Sequence, residues 1–116
     1  MLNRFCSVSV NDSQSSKRNY PRVAVEIPVI LIATAYGTTS VASARSCDMS
    51  EGGISIATTT PLREHQSVSL EFKNLEQSVT LKLYGQVKYG VENRYGVQFI
   101  TPSEQQLKEI RNLLMN

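Results

Sequence analysis

Two short groups of polar residues in this 116-residue chain have types and spacings suited to binding an anion and a base. The first is an R-x-x-x-R pattern formed by Arg18 and Arg22. Arginine carries permanently charged, forked donors that match phosphate oxygens and the O6/N7 edge of guanine. Side chains four residues apart in an extended backbone point to the same side, so both arginines can hold one ligand.

The second group is a D-x-S-x-x-G pattern formed by Asp48, Ser50 and Gly53, with Gly52 beside the last glycine. A carboxylate only accepts hydrogen bonds, whereas the ring N–H and exocyclic amine of guanine only donate them. Ser50 can donate, accept or brace a turn. Gly53 allows either a left-handed backbone or the close approach of a ligand. We therefore predict that the two groups meet in a cleft for a ligand carrying phosphates and a guanine-like edge.

The elements that position these groups are predicted to be β-strands. Pro21 biases Tyr20 toward an extended backbone, so the basic connector at 17–22 reads as extended chain. Residues 23–35 alternate and predict one long strand, in which Pro28 indicates an edge or a bulge. Residues 38–47 are predicted to be the second arm of a hairpin and 48–53 the following turn, after which Ile54 and Ile56 start the next strand. The two motifs thus flank one strand pair.

Alternation recurs in three later segments, separated by polar loops around 74–77 and 90–94. Their inward residues are Val68, Leu70 and Phe72; Val79, Leu81, Leu83, Val87 and Tyr89; and Tyr95, Val97 and Phe99. A helix follows, with Ser103 as its cap, Gln106 as the capping-box partner, and an apolar face of Leu107, Ile110, Leu113 and Leu114. The predicted fold is mainly β: a six- to seven-stranded antiparallel barrel with a C-terminal amphipathic helix. The predicted organisation is a polar tail at 1–16 and a domain at 17–116, comprising connector 17–22, barrel 23–101 and helix 103–115.

Composition argues against several classes of function. The net charge of +2 is too small for a protein that mainly coats nucleic acid. No apolar stretch is long enough to span a bilayer, and the N-terminus lacks a signal-peptide core, so we expect a cytoplasmic protein. In that compartment Cys6 and Cys47 are expected to be free thiols. We find no nucleophile with its base, no metal cluster and no phosphate-cradling loop, so no enzyme activity, metal or cofactor is predicted, and His65 is read as a surface residue.

The two motifs, with the segments Gly85-Gln86-Val87-Lys88-Tyr89 and Tyr95-Gly96-Val97-Gln98-Phe99, resemble the PilZ domain family. The resemblance runs from Lys17 to the C-terminus. It implies a bacterial receptor for cyclic di-GMP with a six-stranded barrel and a C-terminal helix, which signals to a downstream protein partner rather than to DNA or RNA. It further implies that Arg18 and Arg22 grip phosphates and guanine, while Asp48, Ser50 and Gly53 shape the guanine pocket. Lys17 and Gly52 are additional candidates.

Three other functions require features that differ from these. A PilZ-like module used only for protein–protein contact is the main alternative, although such members usually lack the two motifs. A barrel binding single-stranded nucleic acid would need a basic groove with exposed aromatics, whereas Lys82 and Lys88 are sparse. An enzyme is disfavoured for the reasons above. The number of ligands bound, the oligomeric state and the identity of the partner stay open.

Overall fold

The computed structural model describes residues 22–74 and 79–115 of the chain. The strands and helix have the following bounds: β1 Val23–Ala24, β2 Pro28–Ala35, β3 Thr38–Met49, β4 Gly53–Ala57, β5 Ser67–Asn74, β6 Val79–Val91, β7 Arg94–Phe99 and α1 Glu104–Leu114. The predicted tail at 1–16 and the candidate residues Lys17 and Arg18 lie outside the described residues.

The strands form one antiparallel sheet in the order β1-β3-β2-β5-β6-β7-β4, and a further pairing between β3 and β4 closes it. Strands β2 to β7 thus make a six-stranded barrel, and β1 is one extra strand. The predicted mainly-β barrel with a C-terminal helix is confirmed. Strand β3 holds β1 and β2 along one edge and β4 along the other, so it is the element that brings distant parts of the chain together.

The predicted strand over 23–35 is interrupted between β1 and β2. The buried Ser46 fills the interruption: its hydroxyl accepts from the N–H of Ile27 at 3.0 Å and donates to the carbonyl of Val25. Pro28, which has no N–H to donate, begins β2 after the break. The predicted alternation nevertheless holds, because Val29, Leu31 and Ala33 are buried in the barrel.

Strand β3 extends two residues further than predicted and contains a β-bulge between Ser46 and Asp48. Asp48 was placed in the turn by the sequence, but it pairs with Ala24 of β1 and with Ser55 of β4. Asp48 belongs to the strand because β1 pairs with it on one edge and β4 on the other. A bulge adds one residue to one strand only, so it shifts the phase of the alternation. Met49 therefore faces the core, and Asp48 lies on the opposite face of the wall.

A second register shift lies in β6, between Val87 and Tyr89. The prediction that Tyr89 faces inward with Val87 is wrong: Tyr89 is 42% exposed, whereas Val87 is buried. Its ring lies over Gly96, where an added Cβ would sit 2.2 Å from ring carbons. The loop predicted over 90–94 is also shorter than expected, because β6 runs to Val91 and only two residues separate it from β7.

Helix α1 packs against the barrel with Ile110 fully buried. The predicted capping box is confirmed: the N–H of Gln106 donates to the Ser103 hydroxyl at 3.1 Å, and the N–H of Ser103 donates to the Gln106 side chain at 2.7 Å. The Gln106 amide also donates to the carbonyl of Lys82 on β6 at 2.6 Å. The helix start is thus fixed to the barrel wall as well as capped.

Candidate functional site

Arg22 and Asp48, one residue from each sequence motif, are in direct contact. Arg22 immediately precedes β1, and the pairing of Ala24 with Asp48 brings the start of β1 alongside the end of β3. The Arg22 Nε donates to Asp48 Oδ1 at 2.8 Å, and Nη2 donates to the same oxygen. The two side chains are only 16% and 18% exposed, so water screens the pair less than it would on an open surface.

Ser55 completes this cluster and was not identified from the sequence. It pairs directly with Asp48 across β3 and β4, and its hydroxyl accepts from Arg22 Nη2 at 3.2 Å. Ser55 is 6% exposed and stands between two core residues, Ile54 and Ile56. The available signal in the sequence was the alternation of Ser55 with Ile54 and Ile56, two residues after Gly53. Arg22 is therefore held by a carboxylate and a hydroxyl from two neighbouring strands.

The turn between β3 and β4 is held by hydrogen bonds of its own. The N–H of Ser50 donates to the carbonyl of Gly53 at 2.9 Å, and the N–H of Gly52 donates to the Ser50 hydroxyl at 3.1 Å. The carbonyl of Gly52 accepts from the N–H of Phe99 on β7 at 2.9 Å. Among residues 22–74 and 79–115, no hydrogen bond joins Ser50 to Arg22 or Asp48. Ser50, 2% exposed, braces the turn beside the cluster.

Gly53 is required by the packing of β4 against β7. A Cβ added there would lie 2.5 Å from the carbonyl oxygen of Val97, which no ordinary contact permits. The left-handed backbone considered from the sequence does not occur, because Gly37 is the one described glycine with a positive φ. The close approach that this glycine allows is therefore made by a neighbouring strand of the barrel.

The same turn is joined to the C-terminal helix through Glu51. Arg111 on α1 donates from Nε to Glu51 Oε2 at 3.1 Å and from Nη2 to Oε1 at 3.3 Å. This forked pairing is half-exposed on the arginine side and mostly covered on the glutamate side. Sequence reasoning did not identify it, since the two residues are 60 positions apart.

The cluster can offer a ligand both an acceptor and a donor of hydrogen bonds. Both bonds from Arg22 end on Oδ1 of Asp48, so Oδ2 takes no part in them and can accept from a donor edge. The Nη1 group of Arg22 likewise takes no part in these bonds and can donate to an anion. How each predicted site residue acts on a ligand stays a prediction.

Other described side chains offer little chemistry. His65 is exposed and its Nε2 lies 3.8 Å from a carboxylate oxygen of Glu64. Within 22–74 and 79–115, no three His, Cys, Asp or Glu residues are grouped to hold a metal ion. No helix in that part of the chain has the length and apolar character needed to cross a bilayer.

The expectation that Cys47 is a free thiol is wrong. Cys47 is disulfide-bonded and 4% exposed, and it lies in β3 next to Asp48. The sequence contains one other cysteine, Cys6, which lies outside the described residues. The expectation rested on the reducing conditions of the cytoplasm.

Comparison with known proteins agrees with this architecture. The sequence matches the PilZ domain family over residues 16–116. Similar solved structures include the PilZ domain of CeSA from a cellulose-synthesizing bacterium, with a TM-score of 0.67 and 20% identity over 82% of this chain and 95% of that one. The PilZ domain of Escherichia coli YcgR with c-di-GMP has a TM-score of 0.67 and 18% identity over 85% of this chain and 89% of that one.

A third similar structure is the Bacillus subtilis inhibitor of motility MotI/DgrA, with a TM-score of 0.68 and 13% identity. The match covers 85% of this chain and 50% of that protein. No functionally curated protein matches the sequence. At these identities the structural likenesses establish the fold.

Proposed function

Because the chain belongs to the PilZ domain family, we propose that it is a cyclic di-GMP receptor whose binding site is built around Arg22 and Asp48. The observation that carries the proposal is the contact between these two residues, one from each sequence motif. Their neighbour Ser55 and the turn at 50–53 complete the described part of the site. Support from the relatives comes from the family match and from the YcgR domain, which was solved with c-di-GMP.

Asp48 would recognise the guanine. Its Oδ1 is engaged by Arg22, which fixes the plane of the carboxylate and leaves Oδ2 to accept from the donor edge of the base. Ser55 steadies the guanidinium from β4 at 3.2 Å. The guanidinium would then meet a phosphate or the O6/N7 edge through donors that its bonds to Asp48 and Ser55 do not use.

Arg18 and Lys17 would supply the remaining cations from the segment before Arg22. Fixing one residue in a single backbone conformation costs roughly 1–2 kcal/mol, which phosphate contacts would have to offset. The rearranged surface would be read by a protein partner in the cytoplasm. In this reading the chain acts as a non-enzymatic adaptor.

The experiment is calorimetric titration of cyclic di-GMP into the native protein, Arg22→Lys and Asp48→Asn. Arg22→Lys keeps the charge but loses the forked donor geometry, and Asp48→Asn keeps the shape but loses the ionised acceptor. A hydrogen bond to a charged group is worth about 1.5–3 kcal/mol, so each variant should bind about ten- to a hundredfold more weakly. Arg63→Ala is the matched control, because it removes a cation that stacks on Tyr36 at the β2–β3 hairpin.

A protein–protein interaction module without nucleotide is the second candidate. It is favoured by the bonds from Arg22 to Asp48 and Ser55, because a purely structural arginine is also held by such partners within the protein. In that case the native protein shows no heat with cyclic di-GMP. The receptor is refuted by native protein that binds nothing, and equally by Arg22→Lys and Asp48→Asn that bind as tightly as the Arg63→Ala control.

A further inference from the structure

Both carboxylates of the D-x-S-x-x-G segment are paired with an arginine from elsewhere in the chain. Asp48 receives Arg22 from the start of the domain, and Glu51 receives Arg111 from helix α1. The second pair is forked, with N–O distances of 3.1 and 3.3 Å. The segment that carries the predicted guanine pocket is thus tied to both ends of the described chain.

Glu51 occupies the middle of the turn at 50–52, where its position affects the neighbouring hydrogen bonds. Gly52, the next residue, donates to Ser50 and accepts from Phe99. The ion pair with Arg111 restrains Glu51 and therefore also Gly52, the next residue, whose carbonyl bonds the turn to β7. Since α1 is itself fixed by the buried Ile110 and by the bond from Gln106 to Lys82, the tether has a firm anchor.

Charge gives the pair a second effect. A ligand with two phosphates is repelled by a carboxylate in the same turn that is meant to hold it. A guanidinium on that carboxylate cancels the repulsion at short range. This electrostatic role rests on the proposed function, whereas the restraint of the turn by the Glu51–Arg111 pair does not.

We propose that Arg111 is a positioning residue of the ligand site. Acting through Glu51, it holds the β3–β4 turn in place and neutralises the Glu51 carboxylate. The C-terminal helix is then part of the binding site, although it does not touch the ligand.

The tether is tested without ligand, by hydrogen exchange at the amides of Gly52 and Phe99. Exposed ion pairs contribute roughly 0.2–1 kcal/mol, which corresponds to exchange up to about fivefold faster when the pair is lost. We expect Arg111→Gln, Glu51→Gln and the double variant to show the same acceleration, because each removes the same pair. Lys108→Gln, which removes an exposed positive charge from the same helix, should leave both amides unchanged.

Neutralisation is tested by the affinity for cyclic di-GMP at low salt. Arg111→Gln should bind cyclic di-GMP up to about fivefold more weakly than native protein does. The affinity of Glu51→Gln should lie between those of the native protein and Arg111→Gln, because this variant also removes the repelling charge. Raising the salt should bring the three affinities together. Lys108→Gln should bind like the native protein.

The two readouts separate the two proposals. The positioning role is overturned if Arg111→Gln leaves the amide exchange rates unchanged. It is also overturned if the effects of the two single variants add in the double variant. Both outcomes count whether or not the protein binds ligand. Native protein that binds no cyclic di-GMP refutes the proposed function and the neutralising role with it. Equal affinities in native protein and Arg111→Gln, in a protein that does bind, refute neutralisation alone.

Discussion

Replacing Gly53 by alanine should destabilise the protein in the absence of any ligand. The added Cβ would lie 2.5 Å from the Val97 carbonyl oxygen, about 0.9 Å closer than the 3.4 Å at which ordinary contact begins. The next nearest atoms, at 3.4 and 3.5 Å, also belong to the backbone of β7. No side chain can move aside, so β4 and β7 must separate where Gly53 pairs with Gln98.

Overpacking of this kind costs about 1–3 kcal/mol. At roughly 4–8 °C per kcal/mol for a domain of about 100 residues, the midpoint of thermal unfolding should fall by roughly 5–20 °C. Circular dichroism melts and urea titrations of the ligand-free protein measure this. Gly37→Asn is the matched control: the site is open, and asparagine tolerates the positive φ of 79° found there, so it should melt close to the native protein.

The reasoning is refuted if Gly53→Ala melts within a degree or two of the Gly37→Asn control. A variant that keeps native stability but loses cyclic di-GMP binding would show that the glycine accommodates the ligand. A variant that loses stability in the apo state supports the packing role, and its binding must then be measured well below its melting temperature.

Three further predictions follow from individual contacts. Ser46→Ala should lower the free energy of unfolding by about 1–3 kcal/mol in urea titrations, because it removes the buried hydroxyl that accepts from the N–H of Ile27. Replacing the exposed Ser43 by alanine should have little effect, and equal midpoints for the two variants would contradict this. Ser55→Ala should weaken cyclic di-GMP binding about threefold to tenfold by loosening Arg22, and calorimetry that finds native affinity would remove Ser55 from the site. In protein purified without reductant, Cys47 should be protected from alkylation in mass-spectrometric mapping and become alkylated after reduction; alkylation of Cys47 before reduction would disprove the disulfide.

The overall architecture was predictable because alternation and capping are local signals. The inward positions of β2, β5 and β7 and the capping box of α1 follow from residue types at fixed spacings, and the structure confirms them. A period of two is sufficient to identify a half-buried strand, and Ser103 with Gln106 is sufficient to begin a helix.

The errors arose where one strand's shape depends on its partner. The bulges near Cys47 and Lys88 depend on pairings with β4 and β7, which a single segment does not specify. They explain why Tyr89 was assigned to the wrong face and why Asp48 was placed in a turn. The break before Pro28 likewise depends on Ser46, which is far away in sequence.

The candidate site was predictable in its motifs but not in its supporting residues. The sequence indicated Arg22 and Asp48 as ligand-binding residues, and the structure places them in contact. Ser55 contacts Arg22, and Arg111 contacts Glu51, only because strand pairing and helix docking bring remote positions together, and composition carries no trace of such contacts. The ligand-binding roles of Ser50 and Gly53 stay predictions, and the structure adds that Ser50 accepts from the N–H of Gly52 and that Gly53 packs against the backbone of β7.

The bulge in β3 makes the site unusually sensitive to chain length. Ala44 and Ser46 face inward before it and Met49 after it, so the bulge reverses the phase and the Asp48 carboxylate lies on the outer wall. One more residue between Ser46 and Asp48 would reverse the phase again and direct that carboxylate into the apolar interior, whereas removing the extra residue would leave it on the outer wall. Insertions should therefore be tolerated at the exposed tip around Tyr36 and rejected between Ser46 and Asp48. Among related sequences, differences in the length of β3 should be concentrated at its N-terminal end.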